Sequence, residues 1–221
     1  MKIYDRKIKD FRRMEMRKAI VVGLTGPTGA GKTVVGEMLK KYGYSVIDAD
    51  RISALVTEKG SPILPRLAEA FGQDIMNEDG TLDRQLLAQR AFSSWDQTSL
   101  LNSITHPEIV RLILKKINGE FWNGYEGVIV DAPQLFESGL DKKCNFIIAV
   151  SAPEELRLQR IMERDGISEE VAKWRMSVQH DREFFAKNCD IVITNDGDNE
   201  RLAEQVLNVA RLMEQKISGE I

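Results

Sequence analysis

The chain has 221 residues, 43% hydrophobic and 29% charged, a balance that supports a buried core and excludes a disordered or fibrous protein. Thirty-one Lys and Arg against 34 Asp and Glu give a net charge of -3, which lacks the basic field of a dedicated nucleic-acid binder. Cys144 and Cys189 are too few for a disulfide framework or a zinc cluster, and no apolar run approaches the roughly 18 residues of a membrane span. A cytoplasmic protein with neither nucleic-acid nor membrane partners is expected.

Residues 1–18 carry eight basic side chains against Asp5, Asp10 and Glu15, with Tyr4, Ile8, Phe11 and Met14 at helical spacing. With Met14 and Met16 available as alternative starts, this stretch reads as a basic N-terminal arm or an over-extended start ahead of a functional helix.

From Ala19 the pattern alternates short β-branched runs with longer helical segments, as in a parallel sheet covered by helices. The runs are 19–24, 44–47, 128–130, 146–150 and 191–193, each nearly continuous in apolar residues, as for strands buried on both faces. The first leads into Gly26-Pro27-Thr28-Gly29-Ala30-Gly31-Lys32-Thr33, a full G-x-x-x-x-G-K-[ST] phosphate loop between a strand and a helix. Glycines there let backbone N–H groups wrap phosphates at a helix N-terminus, Lys32 reaches the outer phosphates, and the Thr33 hydroxyl is suited to Mg²⁺.

The second run ends at Asp48-Ala49-Asp50. If both carboxylates stay in the extended strand end they share a face toward the crevice; Asp48 suits a helix cap, Asp50 a base. Residues 51–125 are too long for a simple crossover and are broken by turn signals at Gly60-Ser61-Pro62, Asn77–Gly80 and Thr105-His106-Pro107, so helices inserted above the sheet are expected. The third run ends at Asp131, either a carboxylate for the Mg²⁺ water shell or a turn residue before Ala132-Pro133.

After the fourth run, Ser151-Ala152-Pro153-Glu154 reads as a capping box with Ser151 at the N-cap. On the helix that follows, Arg157, Arg160 and Arg164 form one stripe, ended by Asp165-Gly166. Ser168 then starts a helix with Val171, Trp174 and Val178 on one face and Arg175, Gln179 and Arg182 on the other. Such an arginine-bearing pair after the fourth strand reads as a lid over phosphates. The fifth run leads into Thr194–Gly197.

A phosphate loop gives nucleotide binding, not a reaction. No Asn-Lys-x-Asp or Asp-x-x-Gly signature supports a GTPase. A small-molecule kinase, with a base, an acceptor pocket and mobile arginines, fits better than a non-catalytic nucleotide-binding regulator, which needs neither base nor lid.

From about Val21 to about Val206 the chain resembles the dephospho-CoA kinases. The resemblance rests on Gly23–Gly26 running into the phosphate loop, Ile47–Asp50, Phe71-Gly72, Asp79–Arg84, Leu101-Asn102, His106-Pro107, Pro133 with Leu135–Glu137, Arg157, Arg160, Arg175, Gln179, and Asn195 with Gly197. The sequence departs from the family pattern at Pro27-Thr28, Ala30 and Gln134.

The resemblance implies a three-layer α/β P-loop NTPase fold with a five-stranded parallel sheet, a helical substrate-binding insertion and a helical lid. The core would take 19–50 and 126–221, the lid about 152–185 and the insertion 51–125. It implies ATP-dependent phosphorylation of the ribose 3′-hydroxyl of dephospho-CoA to coenzyme A, with Asp50 as base and Lys32 and Arg160 as catalytic partners. ATP would be held by Gly26, Gly29, Ala30, Gly31, Lys32, Thr33, Val34 and Asn195, the last in a loop beside adenine, with Thr33 also on Mg²⁺. Asp50, Arg84, His106 and Glu137 would meet dephospho-CoA, and the protein would be a monomer or small homo-oligomer.

Overall fold

The computed structural model describes residues 18–220; the basic arm lies outside them save for Lys18. All five expected runs form strands: β1 (Ile20–Thr25), β2 (Ser45–Asp48), β3 (Gly127–Asp131), β4 (Phe146–Ser151) and β5 (Ile191–Thr194). They make one parallel sheet in the order β2-β3-β1-β4-β5. Continuous apolar sequence marks burial of most positions in the three central strands, with Val21 and Ile147 half-buried, whereas the edge strands β2 and β5 are only partly covered.

Helices α1 (Lys32–Lys40) and α9 (Asn199–Ser218) cover one face, where Leu24, Leu39, Ile129, Ile148, Val206 and Met213 form a core. The other face carries the inserted helices: α2 (Ala49–Val56), α3 (Leu64–Phe71), α4 (Arg84–Ala91) and α5 (Trp95–Trp122). Val128, Val130, Leu67, Ile75, Ile113 and Leu135 are buried there.

Helix α5 corrects one expectation. Thr105-His106-Pro107 does not break the chain; it lies inside a continuous 28-residue helix. An interior proline costs about 3 kcal/mol. Burial of Ile104, Ile109, Ile113 and Ile117 on the same helix, each worth about 1.5–3 kcal/mol, outweighs that cost.

Ser151 is likewise not a helix cap. It remains the last residue of β4, where its hydroxyl donates to the Ile193 carbonyl at 3.4 Å. The following α6 (Glu154–Asp165) begins after Pro153, with no side-chain cap. Pairing with β5 extends the strand through Ser151, leaving the hydroxyl on the sheet edge. Gly166, in the left-handed region, ends α6 as expected.

Helix α7 (Glu169–Ser177) starts at Ser168, whose Oγ accepts the Val171 N–H. It stops before Gln179, and Asp181 caps a separate α8 (Arg182–Asn188), so Gln179 and Arg182 do not continue one helical face. The apolar face of Val171, Trp174 and Val178 points to solvent, while Ala172 is the buried residue of the helix. No helix among the described residues is long and apolar enough to cross a membrane.

Candidate active site

The carboxyl ends of β1, β2 and β3 open into a cleft of about 690 Å³ lined by the phosphate loop, Asp48, Asp50, Asp131 and side chains from α6. Strand-end crevices of this kind are where open parallel sheets bind ligands.

Glycine is required at two bends of the loop. Gly26 has φ +134°, and a Cβ there would lie 2.2 Å from the Val150 carbonyl oxygen of β4. Gly31, with φ +94°, precedes α1, and a Cβ there would lie 2.2 Å from Asn195 Nδ2. The loop is thereby pressed against β4 and the β5–α9 turn.

Three successive loop carbonyls are taken by side chains from elsewhere in the fold. Arg157 Nε donates to Thr28 O at 2.9 Å, Arg160 Nη1 to Gly29 O at 3.2 Å, and Asn195 Nδ2 to Ala30 O at 2.9 Å. Arg160 also donates to Asn195 Oδ1 at 3.3 Å, and Arg164 reaches Thr28 Oγ1 at 3.5 Å. Among the described residues the backbone N–H groups of Gly29, Gly31, Lys32 and Thr33 have no acceptor. With the partial charge of the α1 N-terminus they form a ready anion cradle.

Lys32 Nζ donates to Gly26 O at 3.0 Å. Burial lowers its pKa, and Asp131 and Asp50 oppose that shift. Asp131 closes β3 with a buried Oδ1 that has no hydrogen-bond partner. Burial raises its carboxyl to about 6 despite Lys32, with Asp48 and Asp50 adding to the rise. The strand-end turn residue and the cleft carboxylate are therefore the same residue.

Asp48 and Asp50 do not share an extended segment. Asp48 ends β2 and caps α2 by accepting the Arg51 N–H at 3.0 Å, while Asp50 already lies in the first helical turn. Both still line the cleft. Asp50 is exposed by surface area yet partly desolvated by the cleft walls, which with Asp48 raises its carboxyl above the ordinary range against the pull of Lys32. Asp131 and Asp50 thus both act on the Lys32 ammonium, and Asp48 adds its charge to those two carboxylates.

The other expected residues are more dispersed. Thr33 lines the cleft and Val34 is exposed on α1. Asn195 is 5% exposed, its amide committed to Ala30 and Arg160 under the loop. Arg84 donates to Ala54 O at 3.2 Å in a side groove, and His106 borders that groove from α5. Glu137 stands apart from Arg84, paired with His180 at 3.2 Å. Sequence reasoning did not find the contact of Gln179 Oε1, which accepts the Thr28 N–H at 3.0 Å; Gln179 sits in a turn without periodicity to reveal it.

The Dephospho-CoA kinase (CoaE) family model matches residues 20–201. A dephospho-CoA kinase of Corynebacterium glutamicum is 41% identical over 181 residues, covering 82% of this chain and 90% of that protein. Among solved structures, a Thermus thermophilus protein superposes with a TM-score of 0.76 at 29% identity, covering 89% of this chain and 98% of its own. The dephospho-CoA kinase of Campylobacter jejuni gives 0.65 at 26% identity, over 91% and 98%. With the phosphate loop, the cleft carboxylates and all five strands inside the matched span, the chain belongs to the dephospho-CoA kinase family.

Proposed function

We propose that the protein transfers the γ-phosphoryl group of ATP to the ribose 3′-hydroxyl of dephospho-CoA, giving coenzyme A and ADP, the last step of coenzyme A synthesis. The observation that carries this reading is the placement of Asp50 in the same cleft as the four unpartnered loop N–H groups. Asp50 takes the hydroxyl proton, the freed oxygen bonds to the γ-phosphorus, and the bond to the β,γ-bridging oxygen breaks as ADP leaves. The loop N–H groups and Lys32 hold the phosphates of ATP. Arg160 and Arg164, also on the cleft wall, offset the charge that builds on the moving group.

Mg²⁺ fits this site, because the buried Asp131 Oδ1 lacks any partner and the Thr33 hydroxyl lines the same cleft. Those two residues would hold it, and when bound it neutralises charge on the β- and γ-phosphates. Two free thiols suit a reducing, cytoplasmic setting for a monomer or small homo-oligomer.

The test supplies purified protein with ATP, Mg²⁺ and dephospho-CoA, and in parallel with AMP, CMP or adenosine as acceptor, following ADP release and product mass. Coenzyme A formed only from dephospho-CoA is expected. Phosphorylation of another acceptor, or none despite tight ATP binding, would remove the assigned substrate.

A further inference from the structure

Within the phosphate loop, Pro27 to Ala30 form a β-turn closed by the Ala30 N–H, which donates to the Pro27 carbonyl at 3.2 Å. Gly29, third in the turn, has φ +76°, whereas Thr28 does not share a positive φ, since among the described residues only glycines have one. Negative φ at the second position and about +80° at the third define a type II turn. A type I turn differs from it by reversal of the central peptide plane, here Thr28–Gly29. Glycine accepts φ of either sign, so the loop's own residues leave both forms open.

The two forms turn opposite groups toward the cleft. In a trans peptide the C=O and N–H point in opposite directions, and no peptide bond among the described residues is cis. In the observed form the Thr28 carbonyl is directed at α6, where Arg157 Nε donates to it at 2.9 Å. Gly29 lines the cleft, and its N–H has no acceptor among the described residues. Reversal would exchange that donor for a carbonyl oxygen and set its partial negative charge against a phosphate.

Arg157 opposes the reversal. It sits half-buried in the first turn of α6, has no ion-pair partner among the described residues, and spends its guanidinium on the loop. Its backbone is seated on the same turn, for a Cβ on Gly29 would lie 2.7 Å from Arg157 O. Gln179 completes the clamp. Its Oε1 accepts the Thr28 N–H at 3.0 Å and faces Arg157 Nη2 at 3.5 Å, so both peptide planes flanking Thr28 are held from the lid side.

We infer that Arg157, supported by Gln179, is a positioning residue that locks the Pro27–Ala30 turn in its type II form, so that the Gly29 N–H faces the phosphate position before any nucleotide arrives. This rests on the reading of the cleft as the ATP site given above. It gives the lid a task distinct from the charge offset assigned to Arg160 and Arg164, because Arg157 acts through the loop backbone rather than on the moving group.

The test compares wild type, Arg157→Ala and Gln179→Leu by calorimetric titration with ADP and ATP, by KM for dephospho-CoA at saturating ATP, and by the NOE between Thr28 Hα and the Gly29 amide proton in nucleotide-free protein. Those two protons are adjacent in a type II turn and apart in a type I turn, so the NOE reports the peptide plane, which a role in charge or stability alone would not move. Wild type should give a strong NOE. Arg157→Ala should weaken it and raise Kd for ADP and ATP alike by about tenfold or more, the worth of one N–H bond to an ionised acceptor, with KM for dephospho-CoA at its wild-type value. Gln179→Leu leaves α6 untouched and carries the test alone if Arg157→Ala does not melt cooperatively; it should weaken the same NOE and raise both Kd values about fivefold, as for a neutral hydrogen bond. Unchanged Kd values, or weaker binding with the NOE intact, overturn the inference. The titrations need no acceptor, so wild type that binds ADP but forms no coenzyme A removes the proposed reaction alone, and wild type that binds neither nucleotide removes both.

Discussion

Replacing Asp131 by asparagine should stabilise the nucleotide-free protein at neutral pH while impairing its activity. The carboxyl titrates near 6 in the fold, against 3.8 as its ordinary value, because it is buried with an unpartnered oxygen. A raised carboxyl pKa means that the folded state holds its proton longer than the unfolded one. The fold therefore bears no penalty from this group below about pH 3.8, and the penalty grows as pH rises toward and past 6. The gap corresponds to about 3 kcal/mol at pH 7 and about half of that at pH 5. Asparagine keeps the shape without the charge, so up to about 3 kcal/mol is recovered at pH 7, less whatever Lys32 loses with its neighbour. For a chain of this size that ceiling is about 6–12 °C in Tm. Thermal melts of both proteins from pH 5 to 8 without nucleotide provide the assay. The advantage of the variant should widen with pH; a constant or shrinking difference would refute the account of Asp131 as a desolvated, uncompensated charge.

Lys32→Ala should lower kcat by about 10²–10³, as for removal of comparable electrostatic donors, and near wild-type turnover would refute its role. Asp50→Asn should depress kcat with ATP affinity retained in a binding titration; loss of ATP binding instead would move Asp50 from the base to the nucleotide site. Gly26→Ala meets the Val150 backbone and a positive φ together, so it should destabilise the fold and abolish nucleotide binding, readable by urea denaturation and a fluorescent ATP analogue. Ser168→Ala should cost about 1 kcal/mol as loss of a true cap, whereas Ser151→Ala should leave α6 intact; the reverse order would restore Ser151 as the cap.

Much of the core was legible because its signals are local. Buried strands need continuous apolar runs, and the phosphate loop needs glycines where no Cβ fits, both of which can be read without knowing a neighbour. Pro107 misled because its cost is local but the isoleucines that outweigh it act through distant packing. Ser151 misled because a strand edge competes for the same hydroxyl that a helix would use. The arginine stripe was visible by its spacing, yet its bonds to the loop carbonyls depend on where β4 delivers α6, which no periodicity encodes. The pairing of Asp50 and Asp131 with Lys32 likewise assembles from chain segments separated by about eighty residues, most of them the insertion.

The strand order also governs how the protein is made. β1 sits in the middle of the sheet, hydrogen-bonded only to β3 and β4, so Ile20 waits for Gly127 and Val22 for Phe146. On a ribosome the phosphate loop emerges about a hundred residues ahead of β3 and β4, the strands that flank β1. Until then the exposed β-branched segment around Val21 and Val22 has no partner strand, the circumstance in which nascent chains aggregate or engage chaperones. The nucleotide site, begun at β1, is completed only when Asn195 on the β5–α9 turn, 165 residues further along the chain, reaches the Ala30 carbonyl.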